Sequence, residues 1–163
     1  NRMAKKKPIM TNAMRILDAA NIRYKAVEYE TDGTVSDHFG EEVAKKTGIA
    51  PEESFKTLVA RGERCGIIVV CIPVNKEVNL KKLAAAAGDK RVELIHVKEL
   101  PGLTGYIRGG VSPIGMKKKY PTFLEMSCIS LENVAVSAGV CGCTLLLSPD
   151  DLLKICEAKL FEN

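Results

Sequence analysis

The stretch SFKTLVARGERCGIIVVCI, residues 54–72, contains the two segments that decide the fold. Residues 54–60 combine apolar and β-branched side chains, residues 61–63 supply a turn, and residues 66–72 form a continuous apolar run. This pattern predicts a β-hairpin at the centre of a sheet. Lys56 lies at its start. Because lysines are rarely buried without a partner, Lys56 is either an exposed strand residue or a cation at the mouth of a pocket.

The composition predicts one soluble globular domain. The 163 residues are 46% hydrophobic and 27% charged, which is typical of such domains. The net charge of +4 is compatible with a polyanionic partner, but it is low for a dedicated DNA-binding domain. Six cysteines without a visible signal peptide predict free thiols in a reducing cytoplasm, and no apolar run reaches transmembrane length. His38 and His96 are the two histidines, and neither has zinc-ligand spacing, so we expect no metal site.

Helix caps, periodic patterns and turns predict a mixed α/β or α+β fold in a single compact domain. Residues 1–10 are expected to be a flexible basic arm, and residues 11–163 the domain. Helices and strands alternate early in the chain, whereas hairpins dominate its centre, which favours a mixed sheet over a parallel one. We predict helices at residues 12–20, 36–48, 80–87 and 148–160. We predict strands at residues 22–28, 54–60, 66–72, 92–96, 122–126, 133–137 and 144–147. Residues 101–121 are expected to be irregular.

Two further segments are candidates for ligand binding. In GGVSPIG, residues 109–115, glycines let the backbone approach a ligand and offer N–H donors to an oxyanion, a phosphate or a carbonyl. The alternative is a glycine-rich turn without a ligand. In VSAG, residues 136–139, Ser137 either offers a hydroxyl to a ligand or bonds its own backbone. Lys117, Lys118 and Lys119 follow the first loop and could contact phosphates or form a solvated turn.

Together, FKTL at residues 55–58, TGY at 104–106, the 109–115 loop with its lysines, and VSAG resemble the YbaK family. These proteins are free-standing relatives of the editing domain inserted in bacterial prolyl-tRNA synthetase. The resemblance extends from residue 11 to residue 160. It implies a mixed, partly barrel-like sheet surrounded by helices. It also implies an enzyme that hydrolyses the ester of mischarged tRNA, with cysteinyl-tRNA for proline as the expected substrate.

The resemblance also implies roles for individual residues. The implied catalytic residues are Lys56, Gly109 and Gly110, with Lys56 as a positioning cation and the glycines as N–H donors. The implied substrate-binding residues are Tyr29, Thr57, Pro113, Ser137 and Thr144. Lys117, Lys118 and Lys119 are the expected tRNA contacts. No metal or redox cofactor is implied. The expected partners are mischarged tRNA for proline and prolyl-tRNA synthetase, which could form a complex with this protein. Binding to DNA or to a membrane is not expected.

Two positions depart from the family pattern. Thr144 stands where an acidic residue is usual, and Ala138 replaces the second glycine of the serine turn. The departures leave open whether the amino acid is cysteine or another small one such as alanine. A non-catalytic tRNA-binding or synthetase-associated module is the second hypothesis. Lys56, Thr57 and the glycine loop favour the deacylase.

Overall fold

The computed structural model of the protein describes residues 7–163, so most of the predicted arm lies outside the described residues. The helices are α1 (Asn12–Ala19), α2 (Phe39–Thr47), α3 (Leu80–Ala86), α4 (Leu100–Thr104) and α5 (Pro149–Cys156). The strands are β1 (Lys25–Glu28), β2 (Phe55–Gly62), β3 (Gly66–Pro73), β4 (Val92–Leu94), β5 (Thr122–Glu125), β6 (Val134–Ser137), β7 (Cys143–Leu147) and β8 (Lys159–Phe161). Two short 3₁₀ turns, Val97–Glu99 and Met126–Ser130, complete the list of elements.

The strands form two sheets. A five-stranded sheet has the order β4-β2-β3-β5-β8, and a three-stranded sheet has the order β1-β7-β6. In the larger sheet β2 is antiparallel to β3 and β4, while β3, β5 and β8 are parallel. The mixed α+β prediction is therefore confirmed, although the expected single, partly barrel-like sheet is divided in two. The sheets meet at one bridge between Ser54 and Ala135, where the Ala135 N–H donates to the Glu53 carbonyl at 2.8 Å.

Apolar faces of the helices cover the two sheets. Helices α1 and α5 bury Leu17 and Leu152 against the smaller sheet, where Leu145 lies in the same cluster. Helix α3 buries Leu83 against Ile72 of the larger sheet. The predicted caps begin these helices: the Thr11, Asn79 and Ser148 side chains accept backbone N–H bonds at 3.2, 3.1 and 3.1 Å. Local sequence therefore sets the helix starts, because a cap satisfies an otherwise unpaired donor.

The prediction of a last helix reaching residue 160 is wrong. Helix α5 ends at Cys156, and Glu157 turns into the left-handed region with φ 49°. Residues Lys159–Phe161 then form β8, which pairs in parallel with β5. Phe161 is buried and meets the Phe123 ring at 6.3 Å between centroids. Burial of that aromatic ring, about 150–250 Å² of surface, outweighs the local tendency to continue the helix.

The predicted irregular region and second helix also need correction. Helix α4 lies inside the segment expected to be irregular, with Pro101 in its first turn and Gly105, at φ 85°, ending it. Proline is tolerated at that position because its missing N–H has no helical partner there. Helix α2 begins at Phe39, later than residue 36. Among residues 7–163, no helix combines the length and apolarity that a membrane span requires.

Candidate functional site

A pocket of about 330 Å³ lies where β2 and β6 separate. The two strands touch at the Ser54–Ala135 bridge, and β4 pairs only with residues 60–62 of β2. Residues 55–59 of β2 therefore line the gap between the two sheets. Neither β4 nor the bridge pairs with residues 55–58, and the partly exposed side chains of this stretch, Lys56, Thr57 and Leu58, can be reached by a ligand.

The structure brings six of the predicted site residues to this pocket. They come from the end of β1, from β2, from the glycine loop, from the end of β6 and from β7. These residues are Tyr29, Lys56, Thr57, Gly109, Ser137 and Thr144. Residues that are far apart in the chain thus share one cavity, which is a default criterion for a binding site.

Lys56 is the half-buried cation of the pocket. Its ammonium makes no ion pair or hydrogen bond with any of residues 7–163. Burial lowers the pKa of Lys56, and the more distant charges of Glu77 and Glu41 oppose this shift. A partly desolvated cation gains free energy from an anionic or strongly polar ligand. Lys56 is therefore suited to binding an ester or phosphate oxygen.

The hydroxyl groups of the pocket differ in what they can offer. Thr144 donates its hydroxyl proton to the Val136 carbonyl at 2.8 Å, so only its lone pairs remain available. Ser137 accepts from the Gly139 N–H at 3.1 Å and keeps its proton for a ligand. Thr57 lies 3.6 Å from the Cys71 sulfur. Burial raises the pKa of Tyr29, which therefore stays a neutral phenol. The wall of the pocket is polar but carries no negative charge at these positions.

Of the two glycines predicted as donors, one has its backbone N–H already engaged. The Gly110 N–H donates to the Ile107 carbonyl at 2.9 Å, closing a turn. The predicted donor pair is therefore reduced to Gly109, whose N–H has no partner within the described part of the chain. Gly109 adopts φ 87°, and a Cβ there would lie 2.7 Å from Val35 and 2.9 Å from the Cys141 sulfur. Both the backbone conformation and the close packing require glycine at this position.

Pro113 and the three lysines lie away from the pocket. Pro113 is buried, and its carbonyl accepts from the Cys156 thiol at 3.4 Å, so this residue fixes the loop. Its predicted contact with substrate is not supported, because that surface faces the protein interior. Lys117, Lys118 and Lys119 are exposed, and Lys119 pairs with Glu157. They stay predicted contacts for the tRNA backbone.

Sequence reasoning missed several residues of the pocket. Arg108 donates to the Asp37 carboxylate at 3.1 Å, and both line the cavity. Because the two residues are 71 positions apart in the chain, no local sequence pattern predicts their ion pair. Arg108 does directly precede the predicted loop. Cys143 is buried in the wall, and burial raises the pKa of its thiol to about 11. A thiol of that pKa is protonated at neutral pH and is a poor nucleophile.

The combination of groups favours positioning over acid–base chemistry. Asp37 is the sole carboxylate among the lining residues, and it is paired with Arg108. The lining residues include no histidine. Among residues 7–163, no three His, Cys, Asp or Glu side chains cluster in a way that could bind a metal ion. A cation, a backbone N–H and neutral hydroxyls can orient a polar substrate and stabilise developing negative charge.

Comparisons with known proteins agree with this geometry. The family described as "Aminoacyl-tRNA editing domain" matches residues 37–155. A protein of Enterococcus faecalis, provisionally named Cys-tRNA(Pro)/Cys-tRNA(Cys) deacylase EbsC, is 44% identical over 98% of this chain and 97% of its own length. A proline–tRNA ligase of Brachyspira hyodysenteriae is 35% identical over 84 residues, which are 52% of this chain and 14% of the ligase.

A solved structure, provisionally described as a trans-editing enzyme for prolyl-tRNA synthetase, shares the fold. It superposes with a TM-score of 0.77 at 21% identity, covering 95% of this chain and 99% of that one. At such low identity the superposition supports the arrangement of helices and strands. The family match covers most of the chain and includes β2, the glycine loop and β6. The chain therefore belongs to the aminoacyl-tRNA editing domain family.

Proposed function

We propose that this protein removes a wrongly attached amino acid from tRNA, with cysteinyl-tRNA for proline as its main substrate. The observation that carries the proposal is Lys56, a half-buried cation without a partner among residues 7–163, in a pocket shared with Ser137 and Gly109. The 44% identity to a protein named as a Cys-tRNA(Pro)/Cys-tRNA(Cys) deacylase supports this substrate class.

The site residues act by holding an ester that is already activated. Lys56 positions the terminal ribose or its phosphate as a point charge. The Gly109 N–H donates to the ester carbonyl oxygen as negative charge develops there. Ser137 supplies a hydroxyl that can donate to the same substrate. Holding the ester in a reactive geometry lowers the entropic part of the barrier.

For a cysteinyl ester, we propose that the substrate supplies its own nucleophile. The cysteine sulfur forms a bond to the carbonyl carbon, the ester C–O bond breaks, and the departing ribose oxygen takes up the proton that the thiol loses and becomes a hydroxyl. The product is a cyclic thiolactone. The composition of the pocket supports this route, since the single lining carboxylate is paired with Arg108 and the Cys143 thiol is neutral.

The Thr144 wall supports a small, uncharged amino acid. Thr144 is buried, and its hydroxyl proton is already donated to the Val136 carbonyl. Because threonine is uncharged, the position usually occupied by an acidic residue is neutral here. An alanyl ester fits the same description, although it lacks a thiol and must be attacked by water. We propose cysteine as the preferred substrate and alanine as a slower one.

The proposed setting is the cytoplasm, where tRNA is charged, with prolyl-tRNA synthetase as the partner that selects the tRNA. The local similarity to a proline–tRNA ligase supports this link. The mild net charge of +4 also supports it, because a weakly basic surface binds tRNA weakly by itself.

Single-turnover deacylation tests the proposal. Cysteinyl-, alanyl-, seryl- and prolyl-tRNA for proline are incubated with the wild type, with Lys56→Ala and without enzyme. We expect fast loss of cysteine, slower loss of alanine, and loss of serine and proline near the uncatalysed rate. Lys56→Ala is expected to lower the cysteine rate about a hundredfold or more. If the wild-type rates equal the uncatalysed rates for both cysteine and alanine, the deacylase proposal is wrong. The non-catalytic tRNA-binding or synthetase-associated module is then the remaining hypothesis.

A further inference from the structure

We propose that Arg108 and Asp37 form an exchangeable ion pair at the pocket mouth, the rim pair, whose arginine transfers from the carboxylate to a phosphate of the tRNA 3′ end. The inference rests on the proposed function, because the phosphate belongs to the substrate placed in the pocket. It makes Arg108 a second cation, besides Lys56, that binds the substrate. Asp37 competes with the substrate phosphate for Arg108. Both residues of the rim pair line the same cavity as Lys56.

The turn at residues 107–110 fixes the backbone of Arg108. The Gly110 N–H bonds to the Ile107 carbonyl at 2.9 Å, which puts Arg108 at the corner of the turn. The Arg108 carbonyl accepts from the Cys141 thiol at 3.8 Å. Gly109 packs against Val35 so closely that a Cβ would lie 2.7 Å from it. The base of Arg108 is therefore fixed, while its long side chain is free to change partners.

The segment before α2 fixes Asp37 in a similar way. Ser36 accepts the His38 N–H on its hydroxyl at 3.2 Å, and its carbonyl accepts the Phe39 N–H at 3.1 Å. The Asp37 side chain itself is 94% exposed, and its contact with Arg108 is the one polar contact found for it among residues 7–163. Arg108 is 42% exposed. A ligand entering the pocket can therefore reach both members of the rim pair.

The strengths of the two contacts favour the transfer of Arg108 from Asp37 to a phosphodiester. A solvent-exposed arginine–carboxylate pair contributes little to stability, because water screens it and two side chains lose freedom. Arginine can bind a phosphate through two parallel N–H bonds, which is the stronger and more specific geometry. Asp37 competes with the phosphate for the Arg108 guanidinium, so it weakens tRNA binding only while Arg108 is present.

Arg91 provides a matched control. Arg91 directly precedes β4 and forms the same kind of exposed pair, with Glu93 of that strand at 3.2 Å. Neither residue lines the pocket. Removing Arg91 changes the net charge by the same amount as removing Arg108. A general electrostatic effect should therefore appear equally in both variants, whereas a specific phosphate contact should appear in Arg108→Ala alone.

The experiment measures binding of uncharged tRNA for proline to the wild-type protein, Arg108→Ala, Asp37→Asn, the double variant and Arg91→Ala. We expect Arg108→Ala to weaken binding about tenfold and Arg91→Ala to change it less than about twofold. Asp37→Asn should tighten binding about threefold in the wild type and have no effect in the Arg108→Ala background. Arg108→Ala should also reduce the slope of log affinity against log salt by about 0.7.

Equal effects of Arg108→Ala and Arg91→Ala, or an Asp37→Asn effect that persists without Arg108, would overturn the rim pair. The substituted side chains are exposed, and thermal melts confirm that each variant is folded. Because the tRNA is uncharged, binding is measured independently of deacylation. Failure of the proposed function would appear as absent turnover by the wild type on cysteinyl-tRNA, a separate measurement from this one.

Discussion

Lys56 and Arg61 are two cations on the same strand, β2, with opposite relations to the protein. Arg61 donates to the Glu99 carboxylate at 2.8 Å at the end of the strand that pairs with β4. Lys56 lies at the other end, half-buried, with no partner from residues 7–163 and with a pocket before it. Burial lowers the pKa of Lys56, whereas the Glu99 hydrogen bond raises the pKa of Arg61.

The difference separates a cation that supports the fold from one that is kept for a ligand. A pair such as Arg61–Glu99 is satisfied within the protein and has nothing left to offer a substrate. The desolvated ammonium of Lys56 opposes folding, and a protein tolerates such a group where function requires it. Stability and activity should therefore respond in opposite ways to loss of the two cations.

The largest expected effect comes from replacing each cation by methionine. Lys56→Met should lower deacylation of cysteinyl-tRNA for proline about a hundredfold or more, because the positioning charge is lost. Its melting temperature should be equal to or higher than that of the wild type. Arg61→Met should keep activity within about twofold and melt slightly lower. Single-turnover kinetics and thermal melts measure both, and the comparison fails if the two variants lose activity equally.

Two glycines with positive φ, Gly109 at the pocket and Gly66 after the hairpin turn, give a second contrast with a smaller expected effect. Gly109 at the pocket has φ 87° and no room for a Cβ, whereas Gly66, the first residue of β3 after the hairpin turn, has φ 73° and open space around it. Gly109→Ala should lower the free energy of unfolding by about 2–4 kcal/mol, from backbone strain and overpacking together. Gly66→Ala should cost about 1–2 kcal/mol, from strain alone.

Denaturant titrations measure these free energies, and deacylation assays follow the same variants. Activity should fall in Gly109→Ala and stay near wild type in Gly66→Ala. An equal loss of stability in both would show that the packing around Gly109 against Val35 and Cys141 relaxes freely. It would remove the argument that this loop is held rigidly against Val35 and Cys141.

The smallest effect concerns pH. Hydrogen bonds from Arg61 and from the His96 backbone hold the pKa of Glu99 below its ordinary value. A carboxylate with a lowered folded pKa stabilises the protein above its unfolded pKa, and that contribution is lost as pH falls through the folded value. Melting temperatures measured through the acid range should therefore fall less steeply for Arg61→Met than for the wild type. Identical curves would show that the pair contributes nothing to stability.

Local sequence was sufficient where the physics is local. The hairpin of β2 and β3 and the caps at Thr11, Asn79 and Ser148 depend on neighbouring residues, so they could be predicted. Strand β8 could not, because its stability comes from pairing with β5 and from burial of Phe161 against Phe123. Helix α4 was also missed, since glycines and proline in the surrounding segment obscure a single short helix.

The sequence by itself determined which polar groups the pocket could contain. Lys56, Thr57, Gly109 and Ser137 were found from motifs, because their residue types and order reflect chemistry. Tertiary structure decided how these groups are used. It divided the strands into two sheets, left residues 56–58 of β2 partly exposed between them, engaged the Gly110 N–H in a turn, and joined Arg108 to Asp37. Pairing, burial and open strand edges depend on residues distant in the chain, and no local pattern encodes them.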